Sequence, residues 1–599
     1  MSSTLLKIDR SVMLSRWVLP AVNDDQIQKL MSVHGLPEIV ARLLVAREVG
    51  VDEVESYLNP RLARDFPDPF RLQGMAAFAE YLSDAIIEGR KIAAFCDFDV
   101  DGSTSAAVMK KFFRALQIDM PFYIPDRMTE GYGPNAKALA TLKSQGADIV
   151  LMADCGTTAF DVIEQGRELG LDICIFDHHE ADDHLPVANH IINPKRKDDT
   201  SGLSMLAAVG VTFLAMVAVN TALRAKGYYE KNKTAEPPLK SWLDLVALGT
   251  VCDMVPLTGP NRLLVKVGFE QMAKNGNIGL KALCDVGKVK KQPGPIDAGF
   301  ILGPRINAGS RVHQADLGAK LLSCEDPEEA SNLAWLLNDC NAKRRSIQAE
   351  MMREAVDMVE KQGLHENPII FVAQESWHVG LNGLVAGQLK EKYGKPACCI
   401  AFAPGMDGRM EGRGSGRSVS GFNLAALFMM AREKGLVLKG GGHAMAAGFT
   451  VLPEFIDELH DFFREEAARV AGGVDELMSE EIVDGVASIR GLKPDFIRLL
   501  ENNVGPFGQE NPEPQFVLPF VKIVQADVVG EDHVRVTLTD VEGGTRMKGV
   551  AFRSLDTPLG EALLKGKSGP PLHLMGQFKI NEWNGNESVE FHIADAAQT

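Results

Sequence analysis

Between Lys91 and Phe176 short apolar runs alternate with amphipathic stretches. Lys91–Phe95, Asp148–Ala153 and Asp172–Phe176 predict buried strands, and Ser103–Leu116, Asn135–Ser144 and Phe160–Leu169 predict the helices between them. This βαβ alternation predicts a parallel sheet with helices on both faces. Ligands on such sheets sit beyond the carboxyl ends of the strands, so chemistry is expected there. From about Asp326 to Gln362 there is no glycine, the only proline lies near the start, and helix formers dominate, which predicts one long connector helix. Pro368–Ala373 and Ala397–Ala403 read as strands of a second α/β unit ending near Val451. After Gly505 the pattern changes to short alternating strands such as His533–Leu538 and Ser588–Ile593. Turn signals at Glu542-Gly543-Gly544 and Asn584-Gly585 separate them, and the whole predicts a small β-barrel of OB type.

The expected architecture is therefore α/β. It runs from an N-terminal helical region (1–75) through a parallel-sheet domain (76–325), the connector helix (326–362) and a smaller α/β domain (363–452). An acidic helical linker (453–504) and the barrel (505–599) complete it. One stretch, Thr200–Leu223, carries no charge and is long enough to span a bilayer. Its small and hydroxylated residues instead suit a helix buried among others, so no membrane association is expected. Charges interrupt every apolar run near the N-terminus, which therefore lacks a secretory core. Nine cysteines without C-x-x-C spacing read as a reduced, cytoplasmic chain.

Directly after the first strand comes Asp97-Phe98-Asp99-Val100-Asp101-Gly102. Three carboxylates so close together weaken one another's ionisation unless a cation joins them. An EF-hand loop begins the same way but needs a Glu at its twelfth position, which is Val108 here, and it follows a helix rather than a strand. The second strand ends in Asp154-Cys155-Gly156 and the third in Asp177-His178-His179. A lone strand-end Asp is usually a helix cap, but three such ends on one sheet edge predict a metal site. Asp253 follows the apolar run Trp242–Leu248 as a further carboxylate. Oxygen ligands with imidazole suit Mn2+ or Mg2+, and two such ions would support in-line phosphodiester or pyrophosphate hydrolysis.

The set DFDVDG, DCG, DHH and the Asp of VCDMVPL resembles the DHH phosphoesterase superfamily. WHVGLNGLVAGQL (377–389), GSGRS (414–418) and GGGHAMAAG (440–448) resemble the DHHA1 domain that accompanies many of its members. IPDRMTEGYG (124–133), GPRINAGSR (303–311) and PFGQENPEP, with the terminal barrel, are similar to its single-strand-specific 5′→3′ DNA exonucleases. The resemblance implies that Asp97, Asp99, Asp101, Asp154, His178 and Asp253 hold two metals. It implies that His179 lies beside them, as a ligand or as a contact to the scissile phosphate. Arg127, Arg311, Ser415 and Arg417 would bind DNA phosphates, the 5′-terminal one included, and His443 would line the same cleft. A RecQ-type helicase, a single-stranded-DNA-binding protein, a monomeric state and a role in DNA recombination and repair are implied likewise.

Asn382, Gly309-Ser310 and Glu510 depart from the usual family residues. Two further readings are a nanoRNase or small-nucleotide phosphatase, whose chains are shorter and lack the barrel, and a non-catalytic single-strand-binding scaffold, which loses metal ligands. All candidate ligands are present here.

Charge appears at first to oppose a nucleic-acid substrate: 63 Lys and Arg face 80 Asp and Glu, a net −17. The eleven acidic and two basic residues of Glu454–Asp484 account for −9 of it, and the metal-site carboxylates for much of the rest. The expectation is that basic residues gather along the cleft between the two α/β domains, with the acidic stretch away from it.

Overall fold

Strands of about five apolar residues can be buried on both faces only when helices cover both. Ile92–Cys96 (β1), Ile149–Ala153 (β3) and Asp172–Phe176 (β4) meet this condition in a parallel sheet ordered β2-β1-β3-β4-β5, whose edges are the short strands Phe122–Tyr123 (β2) and His190–Ile192 (β5). The helices are α1 (Val100–Ala115), α2 (Ala136–Ser144), α3 (Phe160–Glu168), α4 (Ala208–Ala225) and α5 (Leu243–Cys252). Leu139, Leu142 and Ile163 of α2 and α3 pack on Ala93, Val150 and Ile173 of the sheet. Helix α4 takes up the uncharged stretch from Ala208 to Leu223 and ends beyond Arg224, and 72 % of it is buried inside the protein. It packs against α1 and α5, so its apolar surface is covered by protein.

The computed structural model describes every residue except 1, 2, 9, 275, 290, 291, 406, 407, 472–478 and 584. The Asn584 turn signal and part of the acidic stretch thus lie outside the described residues. The chain forms two compact units. One comprises Asp68–Asp253 and Val267–Asp475, the other Met1–Pro67, Met254–Lys266 and Glu476–Thr599.

The first unit continues with α6 (Gly303–Val312) and the connector α7 (Pro327–Lys361), which starts where the Asp326 side chain accepts the Glu329 N–H. Next come β6 (Ile370–Gln374), α8 (Asn382–Tyr393), β7 (Ala397–Pro404), β8 (Met410–Arg417), α9 (Leu424–Glu433), β9 (Lys439–His443), β10 (Ala446–Val451) and α10 (Ile456–Ala471). Their sheet is ordered β9-β10-β8-β7-β6, with only β6 and β7 parallel.

Strand β8 has an instructive alternation, because side chains two apart share a face. A Cβ on Gly414 would lie 2.1 Å from the Phe449 ring, and one on Gly416 2.4 Å from Leu424. The glycines therefore fill the face that meets the aromatic core of Phe428, Phe449 and Phe463. Arg413, Ser415 and Arg417 occupy the other face, where Arg417 comes against Gly383 of α8.

Helix α10, from the stretch read as a solvated helix and linker, seats Leu459, Phe462, Phe463 and Ala467 in that aromatic core. Its Asp457, Glu458, Asp461 and Glu465 stay exposed. The departure at Asn382 also has a contact: it is buried, and its Nδ2 donates to the Arg413 carbonyl at 2.7 Å.

In the second unit Phe516–Val529 (β11), His533–Asp540 (β12), Arg546–Ala551 (β13), Leu572–Trp583 (β14) and Asn586–Gln598 (β15) pair as β11-β12-β13-β15-β14. β14 then pairs back to β11, closing the ring. The N-terminal region is helical from Asp24. Before it, Ser15–Leu19 is a strand, because Trp17 is fully buried there and donates to Asp595, which also accepts from Ser15 Oγ. Glu510 has φ +55°, a conformation that favours glycine or asparagine. That accounts for a small residue being usual at this position.

Candidate metal centre and substrate pocket

The carboxyl ends of β1, β3 and β4 deliver their polar residues to one place. His178 Nε2 lies 3.3 Å from Asp154 Oδ1, 3.5 Å from Asp253 Oδ2 and 3.9 Å from Asp101 Oδ2. Ligand atoms of Asp97, Asp99 and Asp154 come within 4.8 Å of one another, and so do those of Asp101, His178 and Asp253. Asp97 Oδ1, Asp154 Oδ1, Asp253 Oδ2 and His178 Nε2 are buried without a hydrogen-bond partner. Buried polar atoms are normally paired, so this cluster fits divalent cations that would join them. All six sequence-derived ligands thus meet.

Local structure explains how. Asp99 caps α1 through Oδ1, which accepts the N–H groups of Asp101 and Gly102. Asp101 accepts the N–H groups of Ala208 and Val209 at 2.7 and 2.8 Å, so it also holds the start of α4. Asp154 has φ +62°. Strain of this kind persists where the surroundings over-determine it, often at functional sites.

Gly102 is required by close approach, since a Cβ there would lie 2.2 Å from the Asp97 carbonyl oxygen. Gly102→Ala is expected to displace the Asp97 loop and lower stability by about 1–3 kcal/mol, the range for overpacking. It should also reduce turnover. A thermal melt with an activity assay checks this, and unchanged values in both would remove the constraint.

Burial, together with neighbouring carboxylates such as Asp99, pushes the pKa values of Asp97 and Asp154 well up, that of Asp101 to about 7 and that of Asp253 to about 9. Without cations the cluster holds protons. His178 is pushed down to about 4 by burial and by His179, which leaves the neutral imidazole that can ligate.

His179 differs. Burial opposes its protonation, but the bond from Nδ1 to Asp177 Oδ1 at 2.7 Å and the Asp177 charge raise its pKa. Asp177 itself is held below the usual carboxylate range by that bond and by Thr157, against the effect of burial. With Nδ1 engaged, His179 presents Nε2, which lies 3.1 Å from Tyr132 Oη.

Arg127 lies over the Phe98 ring at 4.5 Å. Arg311 donates to the Gly380 carbonyl, and Arg413 to the Met128 carbonyl, both at 2.7 Å. Burial and the nearby Arg127, Arg344 and Arg417 push Arg311 down to about 9. None of these arginines has a carboxylate within ion-pair distance among the described residues, and like charges so gathered fit an anion. Ser415 shares their face of β8. His443 stands exposed at the end of β9 and forms no hydrogen bond with the other candidates.

Sequence reasoning missed Asp177, Tyr132, Arg344 and Arg413. Asp177 stood inside the DHH motif, and the alternation of RGSGR could have flagged Arg413. Tyr132 stood inside the IPDRMTEGYG motif, and nothing distinguished Arg344.

Family models match residues 91–250 (DHH family, N-terminal domain), 366–469 (DHHA1 domain) and 483–595 (RecJ OB domain). The single-stranded-DNA-specific exonuclease RecJ of Escherichia coli is 35 % identical over 93 % of this chain and 95 % of its own. That of Bacillus subtilis is 33 % identical over 97 % and 71 %. The crystal structure of Thermus thermophilus RecJ in complex with Mn2+ superposes with a TM-score of 0.78 at 26 % identity, covering 98 % of this chain and 79 % of that one. With its three domains in order, its carboxylates and His178 clustered at one sheet edge and these relatives matched over 93 to 98 % of its length, the chain belongs to the RecJ family.

Proposed function

We propose that this chain is a metal-dependent exodeoxyribonuclease that hydrolyses single-stranded DNA from its 5′ end and releases mononucleotides in recombination and repair. The observation that carries this reading is a single pairing. A cluster of ligand atoms without hydrogen-bond partners on the first sheet lies in the same unit as arginines without ion-pair partners among the described residues, and Arg127 feels the charges of Asp97 and Asp99. The first cluster wants cations and the second wants an anion, and a phosphodiester between two divalent ions meets both needs.

Asp97, Asp99, Asp101, Asp154, His178 and Asp253 would hold two Mn2+ or Mg2+ ions. When bound, these would lend Lewis acidity to the scissile phosphate and bring an attacking water toward ionisation at neutral pH. The chain's own residues do the rest. Asp177 takes up Nδ1 of His179 and raises its pKa, which favours the protonated ring, whose Nε2–H would donate to a phosphate oxygen. Arg127, Arg311, Ser415 and Arg417 orient the 5′ end through directed hydrogen bonds, and Arg413 braces β8 against the Met128 segment.

Residues 76–325 would then catalyse, 363–452 would bind the strand's end and 505–599 would grip the strand beyond. A chain restricted to single strands needs them exposed and kept open, for which a RecQ-type helicase and a single-stranded-DNA-binding protein are the fitting partners. It would act as a monomer in the cytoplasm. Digestion of single-stranded and duplex DNA carrying 5′ or 3′ labels, with Mn2+ or Mg2+, tests the reading. The expected result is early release of the 5′ label from single strands alone, and equal cleavage of blunt duplex would refute it.

Arg417→Ala is expected to weaken end binding and shrink the advantage of a 5′-phosphate over a 5′-hydroxyl by about tenfold, the worth of one charge-assisted contact. Competition kinetics with the two ends measures it, and an unchanged preference would remove Arg417 from the pocket.

A further inference from the structure

Strand β5 ends at the same sheet edge as the metal centre. Its Ile192 is level with Phe176 of β4, and the Asp177 N–H donates to Ile192 O at 3.1 Å. The residues that follow β5 have no part in the chemistry described so far. Asn193 and Pro194 are buried, and Lys195-Arg196-Lys197 come next. Asn193, 1 % exposed, ties three loops together. Its Nδ2 donates to Thr157 Oγ1 beyond β3 at 3.0 Å and to His179 O beyond β4 at 2.9 Å, while its Oδ1 accepts the Lys195 N–H at 2.8 Å. A buried amide with its hydrogen bonds made holds the backbone around it. The loop that bears Lys195 is therefore fixed to the loops that follow Asp154 and His178.

The three cations of this loop are held differently. Arg196 donates to the Asp198 carboxylate at 2.9 and 2.6 Å and to Ile191 O at 2.5 Å, and Lys197 pairs with Asp183 on the surface. Lys195 Nζ meets Glu180 Oε1 at 3.1 Å, and the Glu180 side chain is 73 % exposed. Such a pair contributes only about 0–1 kcal/mol, so another anion can replace Glu180 at little cost. The Lys195 charge also reaches the metal centre. Burial is the main cause that raises the pKa of Asp253 and lowers that of His178, and Lys195 opposes the first shift and adds to the second. Arg127 likewise opposes the upward shift that burial and Asp99 impose on Asp97. A cation thus stands near each ligand group, Arg127 by the group of Asp97, Asp99 and Asp154, and Lys195 by that of Asp101, His178 and Asp253.

We infer that Lys195 is a catalytic residue: with substrate bound, its ammonium leaves Glu180 and donates to a non-bridging oxygen of the scissile phosphate, on the side of Asp253 and His178. This inference rests on the proposed phosphodiester hydrolysis. In that step an oxygen from water forms the new bond to phosphorus and gives one proton to solvent. The bond from phosphorus to the leaving oxygen breaks, and its electron pair stays on the leaving oxygen, which takes a proton from solvent. Lys195 keeps its protons throughout. It offsets the negative charge on the phosphoryl oxygens as the two bonds exchange. A point charge on a flexible stem suits the move from Glu180 to phosphate.

The test compares Lys195→Met, Lys195→Arg and Glu180→Gln in the full-length protein. Single-turnover cleavage of a 5′-phosphorylated single strand with Mn2+ gives the rate, and electron paramagnetic resonance of free Mn2+ gives metal binding. Lys195→Met is expected to cleave ~100-fold more slowly, the low end for removing one donor to a transition-state oxyanion, with strand affinity within a few fold and Mn2+ binding unchanged. Lys195→Arg recovers part of the rate. Glu180→Gln loses only the resting partner and is expected to cleave at least as fast as the wild type. A wild-type rate in Lys195→Met overturns the inference. So does an equal loss in Glu180→Gln, which would make the pair a prop of the loop, or loss of Mn2+ from Lys195→Met, which would make Lys195 a support of the ligands. Lys195→Gln answers the same question should Lys195→Met not fold. A wild type that releases nothing from the 5′ end of single strands defeats the proposed function itself, whereas an active wild type beside an equally active Lys195→Met defeats this inference alone.

Discussion

Asp154→Ala and His178→Ala are each expected to lower single-strand hydrolysis by about three orders of magnitude or more, ~4 kcal/mol of transition-state stabilisation, while single-strand affinity stays within a few fold. The geometry sets this contrast. Asp154 Oδ1 lies 3.3 Å from His178 Nε2 and 4.0 Å from His179 Nδ1, and Asp154 can group with Asp97 and Asp99 or with His178 and His179, so its loss disturbs both groupings. On the proposed reading, binding depends instead on the arginines of the pocket, none of which forms a hydrogen bond or ion pair with Asp154 or His178 among the described residues. Pre-steady-state cleavage and fluorescence anisotropy on one oligonucleotide give the two quantities. Residual turnover near wild type in either variant would overturn the metal assignment.

Chelation is expected to lower the melting temperature, and the gap between metal-loaded and chelated protein should widen from about pH 6 to about pH 9. Burial raises the folded-state pKa of Asp101 to about 7 and of Asp253 to about 9, well above the ~3.9 of an unfolded aspartate. A group raised on folding stabilises the fold at low pH, and that contribution is lost as pH climbs through the folded pKa. The chelated protein therefore weakens across this window. In the loaded protein the cations stand where the protons stood and meet less competition as pH rises. Free metal a hundredfold above its dissociation constant adds about 2.7 kcal/mol per site. Calorimetric melts with and without chelator decide it, and a gap that stays constant or narrows would put these carboxylates outside the metal set.

Much of this was legible in residue patterns. Uninterrupted apolar runs located three strands to within a residue or two, and the absence of glycine from 326–362 foretold α7, whose observed limits are Pro327 and Lys361. Parallel strands bring their ends to one edge whatever the loops do, so the ligands could be gathered from sequence. Long-range contacts could not. That Asp101 holds the start of α4, 107 residues away, follows from packing that no local pattern encodes. The aromatic core beneath α10 was hidden because its acidic face dominated the composition. His443 shows the converse: a motif singled it out for the cleft, and the structure leaves its side chain exposed.

Helix α7 runs unbroken for 35 residues between the two sheets of the first unit. At about 1.5 Å per residue it is a rod of roughly 50 Å, without a glycine to hinge on. The stretch of chain from the metal-site carboxylates to Arg413, Ser415 and Arg417 of β8 thus passes through a rod rather than an adjustable joint. Shortening the rod by one turn would draw the far sheet in by about 5 Å, close to the step between neighbouring nucleotides of an extended strand.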